Sequence, residues 1–405
     1  MIADRYWQRV QNNPSNDDDW RALVDLLLNQ GDAATVLSVL AARHQMRRDA
    51  AIYAHGLTTA LVAQGRHETL TNLYQAAGAT GAFRGFFAYG LALSAAHRFD
   101  LDAAVALIRE AAYLALPASR QAFPHEAAFG GAVLPQMLEQ AALLEARGYG
   151  ADTALPPLSY PDLGSAPLVV FAACCDTYFA AYAERFITQL TATCPDARYL
   201  IHVLNPTADG DAKRRDLASR FPHGGFTGEV CAPLATLYAS RRFQRAIDIR
   251  TRYPQSDLLI MDADSAFHAD FPEMLALCQG AEMSYFGNGR EIPSLMISAA
   301  FLHLPRHSRI AQPFLDQTAR YLTAKLDEQV VPWTVDQMAL FRAMCLLDTD
   351  RTLARDLTSL VPGGVQRTVA TEGHVLSRDF RQTSRGPTGI GVRFDQDGRP
   401  VLLRE

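Results

Sequence analysis

Two carboxylates, Asp262 and Asp264, close the segment Asp257-Leu258-Leu259-Ile260-Met261-Asp262-Ala263-Asp264. The apolar run predicts a buried strand, and open α/β sheets bind ligands at the carboxyl ends of their strands. On an extended chain, residues i and i+2 point to the same side. Two anionic oxygens on one side suit one hard divalent cation, which can hold a diphosphate while water completes its shell. Asp-x-Asp also arises by chance, so the pair draws its weight from its place after a strand and from its neighbours. Arg241, Arg242 and Arg245 cluster just upstream, and an arginine fork suits phosphate oxygens. Arg242 is the candidate for that contact; Arg241 and Arg245 read as a solvated helix face.

Positioning these groups requires a sheet. Leu168-Val169-Val170-Phe171-Ala172-Ala173 has strand length, and Tyr178, Tyr182, Phe186, Ile187 and Leu190 follow at helical spacing. Residues 199–204 predict the next strand, closed by Asn205-Pro206. A charged helix over about 209–220 and another over 240–253 lead into the carboxylate strand, with later strands at 282–286 and 296–304. This alternation predicts a largely parallel sheet with right-handed crossovers and mixed edges. Asp397-Gly398 between two short apolar runs predicts a hairpin.

The first 150 residues follow another rule. Turns at Gln30-Gly31-Asp32, Gln64-Gly65-Arg66 and His97-Arg98-Phe99 recur at an interval close to 34 residues, each between amphipathic helical patterns. That is the period of tetratricopeptide repeats, which the segment resembles. Stacked helix pairs share a core and leave a concave face, suited to docking a protein partner or to self-association; a rigid spacer is the plain alternative. A helix over about 131–147 would cap the array. Pro156, Pro157, Pro161 and Gly164 mark residues 151–166 as a linker, so the expected domains are 1–150 and 167–405.

A net charge of -5 gives no reason to expect a nucleic-acid partner. No stretch approaches the roughly 20 apolar residues that span a bilayer, and Met1-Ile2-Ala3-Asp4-Arg5 lacks the layout of a signal peptide. A cytoplasmic location is expected. The six cysteines form no Cys-x-x-Cys pair, and Cys174 and Cys175 read as small buried hydrophobes.

Several motifs in order carry a family resemblance. Val170-Phe171-Ala172-Ala173 with Cys174-Cys175-Asp176-Thr177-Tyr178, then His202-Val203-Leu204, then Tyr238-Ala239-Ser240-Arg241-Arg242-Phe243, then Asp262-Ala263-Asp264, then Trp333-Thr334-Val335-Asp336-Gln337, resemble the ordered motifs of family 8 retaining glycosyltransferases over about 166–345. The resemblance implies a GT-A fold, an α/β architecture with a Rossmann-like mixed sheet that binds nucleotide-diphospho-sugars, here preceded by an all-α repeat domain. It implies a nucleotide-sugar donor, a UDP-sugar by expectation, with Mn2+ or Mg2+ and retention of configuration. The acceptor, whether glycan, lipid-linked or protein, is not named by any motif.

Carried onto this sequence, the resemblance places the donor against Ala173, Asp176, Tyr178, Arg242, Asp262, Ala263 and Asp264, with Tyr182 as alternate to Tyr178; Asn288 and Arg290, in a polar loop after a strand, are candidates for the donor sugar or the acceptor, with loop polarity the plain alternative. Asp336 and Gln337 would flank the anomeric carbon as catalytic residues; a helix-start acid facing its dipole is the plain reading of Asp336. Asp262, Asp264 and a late histidine would bind metal, with His374 the candidate by order and His303 a packing residue. Two features depart from the family: Cys174 stands where an acidic residue is expected, and no Lys-Pro-Trp tail follows His374. They keep open a nucleotide-sugar-binding scaffold without catalysis. Nucleotidyl transfer on the same sheet would need a glycine-rich phosphate loop, which Cys174-Cys175-Asp176 is not.

Overall fold

The computed structural model describes residues 2–47, 50–78, 83–100, 102–104, 106–107, 110–111, 155–231, 235–287, 297–326, 335–347, 353–361, 391–394 and 400–403. The chain divides into two compact units, the first built on helices and the second on a mixed sheet.

The first unit contains α1 (Ile2–Asn12), α2 (Asp17–Asn29), α3 (Ala33–Arg47), α4 (Ala50–Ala63), α5 (His67–Ala76) and α6 (Arg84–His97). Gly31, Gly65 and Phe99 all have positive φ, of 73°, 68° and 55°. A left-handed residue just past a helix lets the chain reverse, which is why glycine fills two of the three positions. The buried stripes Leu23, Leu27, Val36, Leu40, Leu70, Leu73, Phe87 and Leu93 join in one core. Arg43 is buried there between the faces of Trp20 and Tyr53, with Asp17 taking a hydrogen bond from its Nη2 at 2.7 Å.

The second unit is a seven-stranded sheet of β1 (Leu168–Cys175), β2 (Arg198–Leu204), β3 (Gly224–Glu229), β4 (Asp257–Met261), β5 (Met283–Gly287), β6 (Ile297–Leu304) and β7 (Ala354–Asp356). Their spatial order is β3-β2-β1-β4-β6-β5-β7. β1, β2, β3 and β4 are mutually parallel, and β6 runs antiparallel to both β4 and β5. Among the described residues six helices accompany the sheet: α7 (Asp176–Thr193), α8 (Ala208–Arg220), α9 (Ala235–Arg252), α10 (Phe271–Ala276), α11 (Ala311–Leu326) and α12 (Val335–Cys345). Val170, Ala172, Leu259 and Met261 face a core shared with Phe179 and Phe186 of α7. The alternate residues of the same strands, Val169, Phe171, Leu258 and Ile260, are buried as well, with α9 packed on β1. Burial on both faces explains the continuous apolar runs. β8 (Gly391–Phe394) and β9 (Pro400–Leu403) pair in a separate two-stranded sheet, and the Asp397-Gly398 turn expected between them lies outside the described residues.

The sheet has a topological switch point. From β1 the chain moves outward through β2 and β3, then returns to lay β4 on the other side of β1. Ligands of open α/β sheets bind in the crevice such a reversal opens at the carboxyl ends of the strands. In this chain those ends deliver Asp176 after β1 and Asp262 after β4. Two strands were not expected from sequence. β3 is one: its glycines Gly224 and Gly225 sit where a Cβ would overlap the Tyr199 ring and Pro161. β7 is only three residues long.

Candidate functional site at the β1/β4 switch point

β4 stops at Met261, and the two acids lie in a turn closed by Ser265 N–H donating to Asp262 O at 3.1 Å. The expectation of an extended i, i+2 pair is therefore corrected: the turn, not strand alternation, sets the two carboxylates side by side. Their proximity has an electrostatic signature. Burial and then the charge of Asp262 push the Asp264 carboxyl up to about 7. Ala263 between them is buried against the α7 side of the sheet.

Arg242 enters from α9 and is almost completely buried. Its Nη1 donates to Asp262 Oδ1. Its Nη2 donates to the Ala299 carbonyl of β6 at 3.0 Å and reaches Asp336 Oδ2 at 3.5 Å. One guanidinium thus gathers the acidic turn, the antiparallel strand and the start of α12. Asp336 is buried too, and burial followed by the neighbouring Asp262 charge raises its carboxyl to about 6, with Arg242 opposing. Its Oδ1 accepts from the Gln337 backbone N–H at 2.8 Å, while Gln337 Oε1 is buried with no hydrogen-bond partner among the described residues.

Tyr178, on the first turn of α7, has its ring 5.3 Å from that of Tyr182. Burial and then the charge of Asp264 raise its phenol, which places Tyr178 in the same electrostatic neighbourhood as the acid pair. Ala173 is buried near the end of β1, two residues beyond the Phe171–Ile260 pairing, as Asp262 is two beyond Ile260. Asp176 is engaged elsewhere. Its Oδ2 accepts from Thr207 Oγ1 at 2.5 Å, and Thr207 in turn accepts from Gly210 N–H at 3.1 Å at the start of α8. Cys174 is buried, and burial raises its thiol, as a packing residue requires. Asn288, Arg290 and His374 lie outside the described residues, as does Trp333. His303 sits with Nε2 3.8 Å from Asp257 Oδ2, at the opposite end of β4 from Asp262.

Arg241 and Arg245 are not the solvated face expected from sequence. Arg245 is fully buried; its Nε donates to Glu229 Oε2 at 3.0 Å and its Nη1 to Asp248 Oδ2 at 2.9 Å and to the Pro156 carbonyl at 2.8 Å. Arg241 Nε lies 2.5 Å from Glu229 Oε1. Burial alone would raise Glu229, but His202, whose Nε2 lies 3.6 Å from Oε2, the hydrogen bonds from Arg245 and the charge of Arg241 hold its carboxyl down to about 2. No acidic motif announced Glu229, because it ends a glycine-rich strand.

The donor set of Asp262 and Asp264 fits a hard divalent ion: two carboxylates crowd one turn, and burial together with the charge of Asp262 drives Asp264 toward its neutral form. Among the described residues no group of three or more His, Cys, Asp or Glu side chains forms a fuller ligand cluster. No described helix is long and apolar enough to cross a membrane.

No family model matches the chain, and no curated protein matches it. Among solved structures, the chain is similar to the apo form of the bifunctional glycosyltransferase WbbM, at a TM-score of 0.33 and 15% identity over 47% of this chain and 38% of that one. It is also similar to the mannosyltransferase PcManGT from Pyrobaculum calidifontis, solved with GDP-Man and Mn2+, at a TM-score of 0.25 and 10% identity over 62% of this chain and 90% of that one. Likenesses this slight carry no argument.

Proposed function

We propose that the sheet unit is a metal-dependent glycosyltransferase, of hexosyltransferase type, that takes a sugar from a nucleotide-diphosphate donor. The observation that carries this reading is the placement of Asp262 and Asp264 in a turn at the β1/β4 switch point, with the buried Arg242 on Asp262. Asp262 and Asp264 would hold Mn2+ or Mg2+, whose charge supplies Lewis-acid stabilisation of a departing diphosphate. Arg242 orients Asp262 and keeps positive charge close to where phosphate oxygens would lie. Asp336 and Gln337 enter from the far side of Arg242, and the unpartnered Gln337 Oε1 is free to accept from a sugar hydroxyl. Tyr178 offers an aromatic face near the acids for a base or sugar. A UDP-sugar donor and retention of configuration follow the family 8 resemblance alone. His374 remains a proposed metal residue on the same ground, and Asn288 a proposed donor residue from its place in the Gly287-Asn288-Gly289-Arg290 loop. The helical unit, read as tetratricopeptide-like, would dock a protein partner or a second copy, and the chain would work in the cytoplasm.

The test is donor hydrolysis. Incubating the protein with a panel of nucleotide sugars and Mn2+ should release one nucleoside diphosphate, and Asp264→Asn should abolish the release. Pyrophosphate released from a nucleoside triphosphate and a sugar phosphate would replace this reading with nucleotidyl transfer. Absence of any turnover, with nucleotide-sugar binding retained, would leave a non-catalytic scaffold.

A further inference from the structure

We infer that Arg185 is a positioning residue for the acidic turn, fixing its backbone from the side of the sheet opposite Arg242; the inference rests on the metal-site reading above. Tyr178, Tyr182, Arg185 and Gln189 recur at steps of four, three and four residues, so they form one stripe along α7. The stripe meets the segment 262–267 at two main-chain points. Arg185 Nη2 donates to the Asp264 carbonyl oxygen at 2.9 Å. Gln189 Oε1 accepts from the Phe267 N–H at 3.2 Å. The guanidinium of Arg185 lies 5.2 Å from the Tyr182 ring centroid, and Tyr182 is itself buried, so the arginine has a backing that limits its rotamers.

Both contacts take hold of backbone atoms and leave the Asp262 and Asp264 carboxylates available. Arg242 does the reverse, holding the Asp262 carboxylate itself. The two acids lie beyond the end of β4, in a turn whose closing bond joins Asp262 to Ser265, itself a β-bridge residue. α7 adds two main-chain restraints to the turn, which keep both acids pre-set for one cation and reduce the ordering that binding would otherwise demand. The charge of Arg185 acts in the opposite sense, since a cation near the acids repels a second cation. The fork geometry and the charge can therefore be separated by substitution: lysine keeps the charge and loses the planar fork, and glutamine loses the charge.

The measurement is the Kd for Mn2+ in the presence of UDP, and then of GDP, followed by the free-ion electron paramagnetic resonance signal of the full-length protein. Wild type, Arg185→Lys, Arg185→Gln, Gln189→Ala and Asp264→Asn are compared, and the melting temperature of each is recorded. Positioning predicts that both Arg185 variants bind Mn2+ about tenfold more weakly, which is about 1.4 kcal/mol. Gln189→Ala should weaken binding in the same direction and by less, and serves if an Arg185 variant does not fold. Equal affinity in wild type and in the Arg185 and Gln189 variants overturns the positioning role and leaves the metal reading intact. Tighter binding by Arg185→Gln with Arg185→Lys unchanged also overturns it, because charge alone would then explain the contact. If wild type takes up no Mn2+ with either nucleotide, or Asp264→Asn takes up as much, the metal reading fails and the inference fails with it.

Discussion

Arg242 and Asp262 stand 20 residues apart in sequence and are joined in the fold by a hydrogen bond from Nη1 to Oδ1. The bond crosses from a helix on one face of the sheet to the turn beyond its carboxyl edge. The same guanidinium also faces Asp336, so two carboxylates depend on one buried cation. Removing that cation leaves the buried Asp336 uncompensated. Loss of one partner from a buried pair typically costs about 3–5 kcal/mol. Arg242→Met should approach that loss in urea-induced unfolding. Arg242→Met/Asp336→Leu, which removes both buried charges, should recover part of it. Additive losses in the double variant would show that the two residues are not coupled.

Gly210 is fixed by a neighbour rather than by backbone conformation. A Cβ there would overlap the Asp176 carboxylate, which is already taken by Thr207 Oγ1. Overpacking of this kind costs about 1–3 kcal/mol when the neighbour cannot withdraw. Gly210→Ala should lower the melting temperature by several degrees, and adding Asp176→Ala should relieve much of the loss. If alanine at 210 costs the same with Asp176 present or absent, the two residues do not compete for that space.

The acid pair, its strand and the arginine cluster were legible because type and spacing carry their meaning. An apolar run must be buried, and charges just beyond it must be at an edge. The same logic read Arg241 and Arg245 as solvated, and it failed because their partner was invisible. Glu229 ends the segment Gly224-Gly225-Phe226-Thr227-Gly228-Glu229, whose three glycines carry little strand propensity. With β3 unread, the carboxylate that pairs with both arginines had no place in space. Arg185 escaped for a different reason. It binds a main-chain carbonyl, and a backbone acceptor leaves no mark in sequence. Asp262 and Asp264 are set by a turn, and helical or extended periodicity says nothing about a turn.

Asp264 makes the metal-free protein sensitive to pH in a definite sense. Its carboxyl is raised from 3.8 to about 7 in the fold, so the native state holds this proton more tightly than the unfolded chain does. The stability it contributes is full below about pH 4 and is lost as pH rises through 7. Melting of the metal-free wild type should therefore decline relative to Asp264→Asn between pH 4 and 7, by roughly a few kcal/mol at most. Added Mn2+ should reverse the trend, because the ion requires the charged carboxylate, and its stabilising effect should grow from pH 6 to 8. Parallel melting curves for wild type and Asp264→Asn across that range would sink the assignment.

Glu229 has the opposite sign. Its carboxyl is held down to about 2 from 4.5 by His202, Arg245 and Arg241 against the effect of burial. The unfolded chain takes up this proton more readily, so the contribution of Glu229 is present above about pH 4.5 and is lost as pH falls toward 2. The shift corresponds to stabilisation on the order of 3 kcal/mol. The cluster also ties the 155–163 segment to α9, through Arg245 to the Pro156 carbonyl and Tyr253 Oη to the Pro161 carbonyl. Because Arg242 sits on the same helix between Arg241 and Arg245, loosening this anchor should be felt at the acidic turn. Glu229→Gln keeps the shape and removes the charge, leaving the fully buried Arg245 with Asp248 as its remaining anionic partner. It should lower unfolding free energy at pH 7 by about 3 kcal/mol and flatten the acid limb below pH 4.5. A loss under about 0.5 kcal/mol, the usual range for a surface change, would mean that Glu229 is not the charge that holds α9 to the sheet.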